Sequence, residues 1–209
     1  MSLATTFIAA ELEPYLPGRP LTEQELEQVS TYLELLMRWN ARINLTSVRE
    51  PAEMLTRHFG ESFFLATLLS APTPPHDAVD VGSGAGFPGI PLKMLLPNVH
   101  TTLIESQNKK ATFLKEVIRS LRLTKIDVFA GRAESWKMQA EVVTMRAVEK
   151  FDRVLPVAAR LVRKPGRIAL LVGASQVERA RDLLPATKWE SDAPVPRSRE
   201  RVALIGRIS

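Results

Sequence analysis

The feature that most constrains this chain is a glycine-rich turn, DVGSGAGFPGIPLKM, at residues 80–94. It lies between the apolar run AVDV and an apparently helical segment, as expected where a strand leads into a helix. Gly84, Gly86 and Gly89 satisfy the spacing GxGxxG, which lets a backbone approach a nucleoside ligand closely. In an open parallel sheet, that ligand lies at the carboxyl ends of the strands. The turn therefore predicts an α/β fold with a ligand site after its first strand, and a plain tight turn is the alternative.

The chain after this turn alternates short apolar runs with helical patterns. The candidate strands are 78–81, 101–105, 126–129, 142–145 and 167–172, and the candidate helices are 88–96, 108–121, 151–163 and 175–184. Such alternation predicts a mostly parallel sheet joined by right-handed crossovers. Two short strand candidates in the tail from residue 188 would close the sheet as an antiparallel edge hairpin.

The chain before the turn has a helical pattern. Apolar residues recur at helical spacing over 21–41, and Thr22 followed by Glu25 forms a capping box that predicts where this helix begins. Residues 50–70 predict one or two further helices. The proline-rich stretch APTPPHD then marks a boundary. We therefore expect an N-terminal helical extension over 1–75, packed on a main α/β domain over 76–209.

Composition narrows the class of protein. The chain has no cysteine, which excludes disulfides and thiol nucleophiles, and its three histidines lack the spacing of metal ligands. No apolar run reaches the roughly 18 residues of a membrane helix, and the N-terminus does not have the pattern of a secretory signal, so the cytoplasm is the expected compartment.

The charges are distributed unevenly. Residues 1–105 carry 6 basic and 12 acidic side chains, whereas residues 106–209 carry 22 and 11. The basic second half predicts a polyanionic partner. From charge alone, a solvated basic face is the alternative.

Two details of the turn favour S-adenosylmethionine over a dinucleotide. Pro88 and Pro91 remove N–H donors that a pyrophosphate would use at a helix N-terminus. Asp80 would repel a diphosphate but suits a sulfonium or an ammonium group, and Phe87 can pack on apolar ligand surface. Glu105 ends the second strand, where a carboxylate accepts hydrogen bonds from the ribose hydroxyls of either kind of ligand.

The chain resembles the bacterial 16S rRNA guanine-N7 methyltransferases, also called the glucose-inhibited division protein B family. The motifs that carry the resemblance are LMRWNARINLTSV, RHFGESFFL, DVGSGAGFPGIPLK, ESQNKKATFLKEV, GRAE and VTMRAV, between about residues 36 and 150. It implies a class I S-adenosylmethionine-dependent methyltransferase with a Rossmann-like, mostly parallel sheet and an N-terminal helical extension. The chain departs from the family at Glu61, where Asp is common, at Val172, where Lys is frequent, and after residue 185.

The resemblance also implies an activity and site residues. The activity is transfer of a methyl group from S-adenosyl-L-methionine to N7 of one guanine in 16S rRNA near the decoding centre. The cofactor contacts carried over position by position are Gly82, Phe87, Ala133, Glu134 and Arg146, with Asp80, Gly84 and Glu105 beside them.

Arg146 is also the predicted catalytic residue on the substrate side. A bidentate guanidinium there would read guanine O6 or hold a phosphate. A salt bridge to Asp80 or Glu105 is the alternative.

The predicted RNA-binding residues are Asn44, Arg57, His58, Lys109 and Lys110. The two lysines begin a helix of the basic half, where an ordinary charged surface is the alternative. From the residues alone, Asn44 would cap a helix and His58 would be a hydrogen-bonded structural histidine. The family match places their segment near the RNA or the cofactor. The expected partner is the small ribosomal subunit or its assembly intermediate, and the protein is expected to act as a monomer.

The absence of an obvious catalytic acid or base in these motifs agrees with methylation of guanine N7. Guanine N7 has an in-plane lone pair and no proton to lose, so methylation there needs alignment rather than a general base. The segment TMRAV after the fourth strand also lacks the Asn/Asp-Pro-Pro-aromatic pattern of amino-group methylation. Two other functions stay open on the sequence: an NAD-dependent oxidoreductase, and a non-catalytic RNA-binding or assembly factor that kept the sheet.

Overall fold

The computed structural model describes residues 3–209 and contains helices on both faces of one sheet. The helices are α1 (Thr5–Leu12), α2 (Glu23–Ile43), α3 (Pro51–Met54), α4 (Glu61–Ser70), α5 (Gly89–Leu95), α6 (Asn108–Ser120), α7 (Phe151–Arg160) and α8 (Val177–Leu183). The strands are β1 (Asp77–Val81), β2 (His100–Glu105), β3 (Ile126–Ala130), β4 (Ala140–Arg146), β5 (Val162–Gly173), β6 (Lys188–Trp189), β7 (Ala193–Pro194) and β8 (Arg201–Ile208). A π-helical turn, Leu55–Gly60, joins α3 to α4.

The strands lie in the order β3-β2-β1-β4-β5-β8-β6, and β7 pairs with β8. The first five strands are parallel to one another. β1 lies between β2 and β4, so the crossovers reverse direction there, and the glycine turn follows directly. This is the place in an open parallel sheet where ligands bind. The predicted α/β fold is confirmed.

The tail forms the predicted antiparallel edge hairpin. β8 is its inner strand, antiparallel to β5 from Gly173↔Arg201 to Gly166↔Ile208 and paired with β6 on its other side. The continuous buried run of β8, Val202–Gly206, suits this inner position, because a strand covered on both faces lacks the polar alternation of an edge. The outer edge belongs to the two-residue strands β6 and β7, which both pair with β8.

The N-terminal helices share a core with one face of the sheet. Tyr32 of α2 and Phe63 of α4 belong to the same buried cluster as Leu103 of β2 and Phe113 of α6. The opposite face packs against α7 and α8 in a second cluster. Helix α1 was not predicted, although Ile8 and Leu12 are fully buried. The boundary at residue 75 stays a prediction.

The capping box that begins α2 is confirmed. The Glu25 N–H donates to Thr22 Oγ1 at 3.2 Å, and the Thr22 N–H donates to Glu25 Oε2 at 2.9 Å. At the other end of α2, Asn44 adopts a left-handed conformation with φ of 48° and caps the helix, as its position predicts. Within residues 3–209, no helix is both long and apolar enough to cross a lipid bilayer.

The capping box predicts a stability change. Thr22→Ala removes the oxygen that accepts the Glu25 N–H, and loss of such a cap costs about 1 kcal/mol. Urea unfolding should show this as a lower midpoint with an unchanged slope. Thr112→Ala is the matched control, because Thr112 is exposed on α6 and its hydroxyl donates to Asn108 O in the same helix. Equal midpoints for the two variants would contradict the contribution of the cap.

Candidate active site

A cavity of about 940 Å³ opens at the carboxyl edge of the parallel strands. Its walls come from the α2–α3 loop, the π-helical turn, the glycine turn and the segments that follow β2, β3 and β4. Its position is the switch point beside β1, and its volume suits a nucleoside-sized ligand. The cavity thus lies where the sequence predicts the ligand site, after the first strand.

The glycine turn forms one wall through backbone conformations that other residues rarely adopt. Gly82, Gly84 and Gly86 have φ of 70°, 55° and 92°. The N–H groups of Gly82 and Ser83 donate to Ile104 O of β2 at 2.9 and 3.0 Å, which ties the turn to the neighbouring strand. A Cβ atom on Gly82 would lie 3.1 Å from the Val148 side chain. The turn thus presents bare backbone to the cavity: a side chain on Gly82 or Gly86 would crowd a neighbouring side chain, whereas Gly84 requires glycine for its φ alone.

Glu105 is at the floor of the cavity, with 5 % of its surface exposed. Its Oε2 accepts the Gly84 N–H at 2.9 Å, and its Oε1 accepts the Gln107 N–H at 2.7 Å. Each carboxylate oxygen has a second lone pair, so both can also accept a ligand hydroxyl. These bonds fix the Glu105 carboxylate at the floor of the cavity.

Asp80 lies behind the turn and is only 1 % exposed. Its Oδ1 accepts the Thr144 hydroxyl at 2.8 Å, and its Oδ2 accepts the Gly89 N–H at 3.3 Å. Burial raises the pKa of this carboxyl to about 6. The side chain therefore connects the start of α5 to β4 and does not line the cavity. Its direct contact with a cofactor stays a prediction, and its position behind the turn argues against that contact.

The segment after β3 supplies the wall next to Glu105. Ala133 and Glu134 lie in a single 3₁₀ turn, and both line the cavity. Ala133 is buried, whereas Glu134 is exposed and lies 3.6 Å from the guanidinium of Arg153. Because β2 and β3 are neighbours in the sheet, these residues and Glu105 define the end of the cavity suited to a nucleoside.

An aromatic cluster supports the turn from the other side. Phe87 lines the cavity and stacks on Tyr32 of α2, with ring centroids 5.2 Å apart and an interplanar angle of 3°. The Tyr32 hydroxyl donates to the carbonyl of Ala85. His58 stacks on Phe87 at 5.1 Å, and Phe59 meets Phe87 edge-on at 5.1 Å. Sequence analysis missed Tyr32, since its helical spacing indicates only a core position.

Arg146 ends β4 and is buried against the π-helical turn. Its Nη2 donates to Arg57 O at 2.6 Å and to His58 Nδ1 at 3.1 Å, and it lies 3.2 Å from Glu61 Oε2. Arg146 thus forms its salt bridge with Glu61, and not with Asp80 or Glu105, which sequence analysis offered as alternative partners. Burial lowers the pKa of Arg146 to about 10 and raises the pKa of Glu61.

These contacts restrict how Arg146 can meet a substrate. Nη2 is used by protein acceptors, so a bidentate contact through both terminal nitrogens would have to break them. Arg146 does line the cavity. Its predicted roles in catalysis and cofactor binding remain predictions.

His58 is buried, and both of its ring nitrogens have partners. Nδ1 faces Arg146, and Nε2 lies 2.8 Å from Thr46 Oγ1. Burial, followed by the charges of Arg146 and Arg57, lowers the pKa of His58 to about 3. The imidazole is therefore neutral at pH 7. It is a hydrogen-bonded histidine that also lines the cavity.

The mouth of the cavity is rich in cations. Four of the five predicted RNA-binding residues, Asn44, Arg57, His58 and Lys110, line the cavity, whereas Lys109 does not. Five further basic residues line it that sequence analysis did not identify: Arg49, Arg132, Lys150, Arg153 and Arg201. The three acids among the lining residues are Glu105, Glu134 and Glu149. The only sequence signal for four of these cations was the basic second half, and Arg49 had no such signal, because the five residues lie in several separate segments of the chain.

Comparison with known proteins gives the same class. The magnesium protoporphyrin IX methyltransferase of Synechocystis, solved with S-adenosylmethionine bound, superposes with a TM-score of 0.66 at 13 % identity, covering 87 % of this chain and 97 % of that one. A methyltransferase of Aquifex aeolicus gives 0.60 at 15 % identity, over 77 % and 94 %. The fold is that of the class I methyltransferases.

The family is shown by sequence. The sequence model of the family described as rRNA small subunit methyltransferase G matches residues 25–193. The protein of that name from Roseiflexus castenholzii is 40 % identical over 173 residues, which cover 78 % of this chain and 73 % of the relative. The one from Xylella fastidiosa strain 9a5c is 35 % identical over 191 residues, or 90 % and 87 %. This chain belongs to the rRNA small subunit methyltransferase G family, and the predicted family and enzyme class are confirmed.

Tyr32→Phe should weaken both the fold and the cofactor site. The variant keeps the ring that stacks on Phe87 but leaves the Ala85 carbonyl, which is buried, without its donor, at a cost of about 1–3 kcal/mol. Urea unfolding measures the stability, and calorimetric titration with S-adenosylhomocysteine measures the site. Wild-type values in both measurements would contradict a supporting role for the hydroxyl.

His58 should make the stability depend on pH. Its pKa is about 3 in the folded protein and 6.5 in the unfolded chain. The unfolded state therefore binds the extra proton between these values, and the stabilisation present above pH 6.5 is lost as the pH falls towards 3, by about 1.4 kcal/mol per pH unit. The stability difference between wild type and His58→Gln should shrink at that rate between pH 6.5 and 4.5 in urea titrations. A difference that does not change with pH would contradict a neutral, buried His58.

Proposed function

We propose that this protein transfers the methyl group of S-adenosyl-L-methionine to N7 of one guanine of 16S rRNA, near the decoding centre. Family membership is the single observation that carries the proposal. The cavity adds physical support, because a nucleoside-sized pocket with a cationic mouth suits a small cofactor inside and a polyanion outside.

The residues of the cavity fit S-adenosylmethionine. Glu105 retains lone pairs for the ribose hydroxyls, and the turn at Ala133 and Glu134 lies on the next strand, beside the expected adenine. Gly82 and Gly84 leave backbone free to approach the methionyl part, and Phe87 offers apolar surface. When bound, the cofactor supplies an electrophilic methyl group on a sulfonium.

The chain's own contribution to this chemistry is alignment. Guanine N7 attacks with a lone pair that carries no proton, so the reaction needs proximity and exclusion of water but no general base. The ring nitrogens of neutral His58 are both hydrogen-bonded, and both oxygens of Glu105 are engaged by backbone N–H groups. Such a site suits a nucleophile that is already deprotonated.

The RNA would be held mainly through its phosphates. The cations at the mouth come from six different segments, so they can meet a folded RNA by shape rather than by stacking on many bases. The finer parts of the proposal are the decoding-centre guanine, which the family resemblance implies, action as a monomer in the cytoplasm, and a substrate that is the small subunit or its assembly intermediate.

A methyl-transfer assay tests the proposed function. Tritiated S-adenosylmethionine is incubated with small subunits from a strain that lacks the modification, and mass spectrometry of digested 16S rRNA maps the labelled nucleotide. Label at N7 of a single guanine is the expected result. Cofactor binding without label on subunits, assembly intermediates or free RNA would instead favour a non-catalytic assembly factor. The NAD-dependent oxidoreductase has no support from the family.

Salt dependence should separate the two ligands. Replacing Lys109 and Lys110 with Ala should weaken RNA binding and reduce its salt slope by about one unit per lost phosphate contact, while S-adenosylhomocysteine affinity stays unchanged. Lys110→Ala alone should have most of the effect, because Lys110 lines the cavity and Lys109 does not. Glu105→Ala should weaken S-adenosylhomocysteine binding and leave RNA binding and its salt slope unchanged. Affinities at low and moderate salt are the measurement.

Lys115→Ala is the matched control for this test. Lys115 is exposed on α6 and does not line the cavity, so its loss removes a charge from the same helix without a proposed contact. A salt slope that fell equally for Lys115→Ala and Lys110→Ala would contradict the position proposed for the RNA.

A further inference from the structure

The hydroxyl of Thr46 is held in a fixed position at the wall of the cavity. The carboxamide of Asn40, which is buried, accepts the Thr46 N–H at 2.9 Å and donates to Val48 O at 3.3 Å. Thr46 Oγ1 in turn accepts the Val48 N–H at 3.1 Å and lies 2.8 Å from His58 Nε2. Both ends of this short loop are thus tied, and Thr46 itself lines the cavity.

The hydrogen-bond network determines which atom carries each proton. A guanidinium has only donors, so His58 Nδ1, which faces Arg146 Nη2 at 3.1 Å, must be an acceptor. A neutral imidazole has one N–H, which is therefore on Nε2 and donates to Thr46 Oγ1. With the Val48 N–H as second donor, both lone pairs of the Thr46 oxygen are filled.

The proton of the Thr46 hydroxyl is left without a protein acceptor. Among residues 3–209, Thr46 Oγ1 has hydrogen bonds with His58 and Val48 only, and in both it is the acceptor. The hydroxyl is therefore a donor for a ligand atom in the cavity, with its oxygen fixed by two bonds.

The position of Thr46 indicates the substrate rather than the cofactor. Glu105 and Ala133 follow β2 and β3, on one side of β1, whereas Arg146 ends β4 on the other side. Thr46 is connected through His58 to Arg146. It therefore belongs to the half of the cavity away from the expected ribose and adenine.

We propose that the Thr46 hydroxyl donates a hydrogen bond to O6 of the target guanine and makes Thr46 a specificity-determining residue. This inference rests on the proposed function. O6 accepts this bond and leaves N7 free as nucleophile. Adenine presents an amino group at the same position, so two donors would face each other and adenine would be rejected.

Substitutions of Thr46 test the role of the hydroxyl. Thr46→Val should lower the single-turnover rate of methyl transfer about tenfold, the effect of one neutral hydrogen bond, with S-adenosylhomocysteine affinity within about twofold of wild type. Thr46→Ser should restore most of the rate. Thr67→Val is the matched control, because the Thr67 hydroxyl donates to Phe64 O within α4 and does not line the cavity; its rate should equal that of wild type.

A substrate change separates contact with O6 from a general effect on the loop. Reconstituted small subunits carry 2-aminopurine, which keeps N7 and the 2-amino group but lacks O6, at the target position. Wild type should slow on this RNA to the rate of Thr46→Val on guanine, and Thr46→Val should lose no further rate.

Each other outcome overturns the inference. Equal slowing of Thr46→Val on both RNAs would mean that the hydroxyl acts through the loop, and a loss of S-adenosylhomocysteine affinity would place its contact on the cofactor. A Thr46→Ser variant as slow as Thr46→Val would show that a hydroxyl at this position does not restore the rate, which would contradict its role as the donor to O6. If wild type labels no guanine at all, the proposed function fails and takes this inference with it.

Discussion

The guanidinium of Arg146 joins the sheet to the helical segment above it, and the geometry of the cavity depends on this contact. A buried charge is costly unless it is paired and hydrogen-bonded. Glu61, the carbonyl of Arg57 and His58 Nδ1 supply those partners. They all come from the π-helical turn and the first residue of α4, so the turn is held in one orientation over the end of β4. That orientation also fixes the tautomer of His58.

The parts of the fold that depend on local pattern were predictable. The capping box of α2, the strand before the glycine turn and the alternation of strands and helices are properties of neighbouring residues. The edge hairpin of the tail was also predicted, but the strand to which β8 pairs was not, because that pairing joins β5 and β8 across a separation of about thirty residues or more. The partner of Arg146 was missed for the same reason: Glu61 precedes it by 85 positions and belongs to another layer.

The candidate site divides in the same way. Gly82, Gly84, Phe87 and Glu105 line the cavity and could be predicted, because strand ends and glycine spacing place them at one edge of the sheet. Asp80 belongs to the same motif, yet its pleat position turns it behind the glycine turn, towards Thr144. The cations of the mouth lie on separate loops, helices and strands whose sequences have no common pattern, so only folding brings them together. Thr46 falls in this group, since its role follows from the direction of three hydrogen bonds.

The interior position of β8 has a consequence for synthesis on the ribosome. β8 lies between β5 and β6, and both of these strands are translated before it. A nascent chain that ends before β8 therefore has an open edge along β5. Residues Ile168–Val172 of β5 are apolar and are buried in the folded protein, and an open strand edge is a template for pairing with other chains. Arg201, at the start of β8, reaches the cavity only once this strand has inserted. During synthesis, the active-site wall therefore cannot be completed before β8 has been made, and until then the edge of β5 is open to association with other chains.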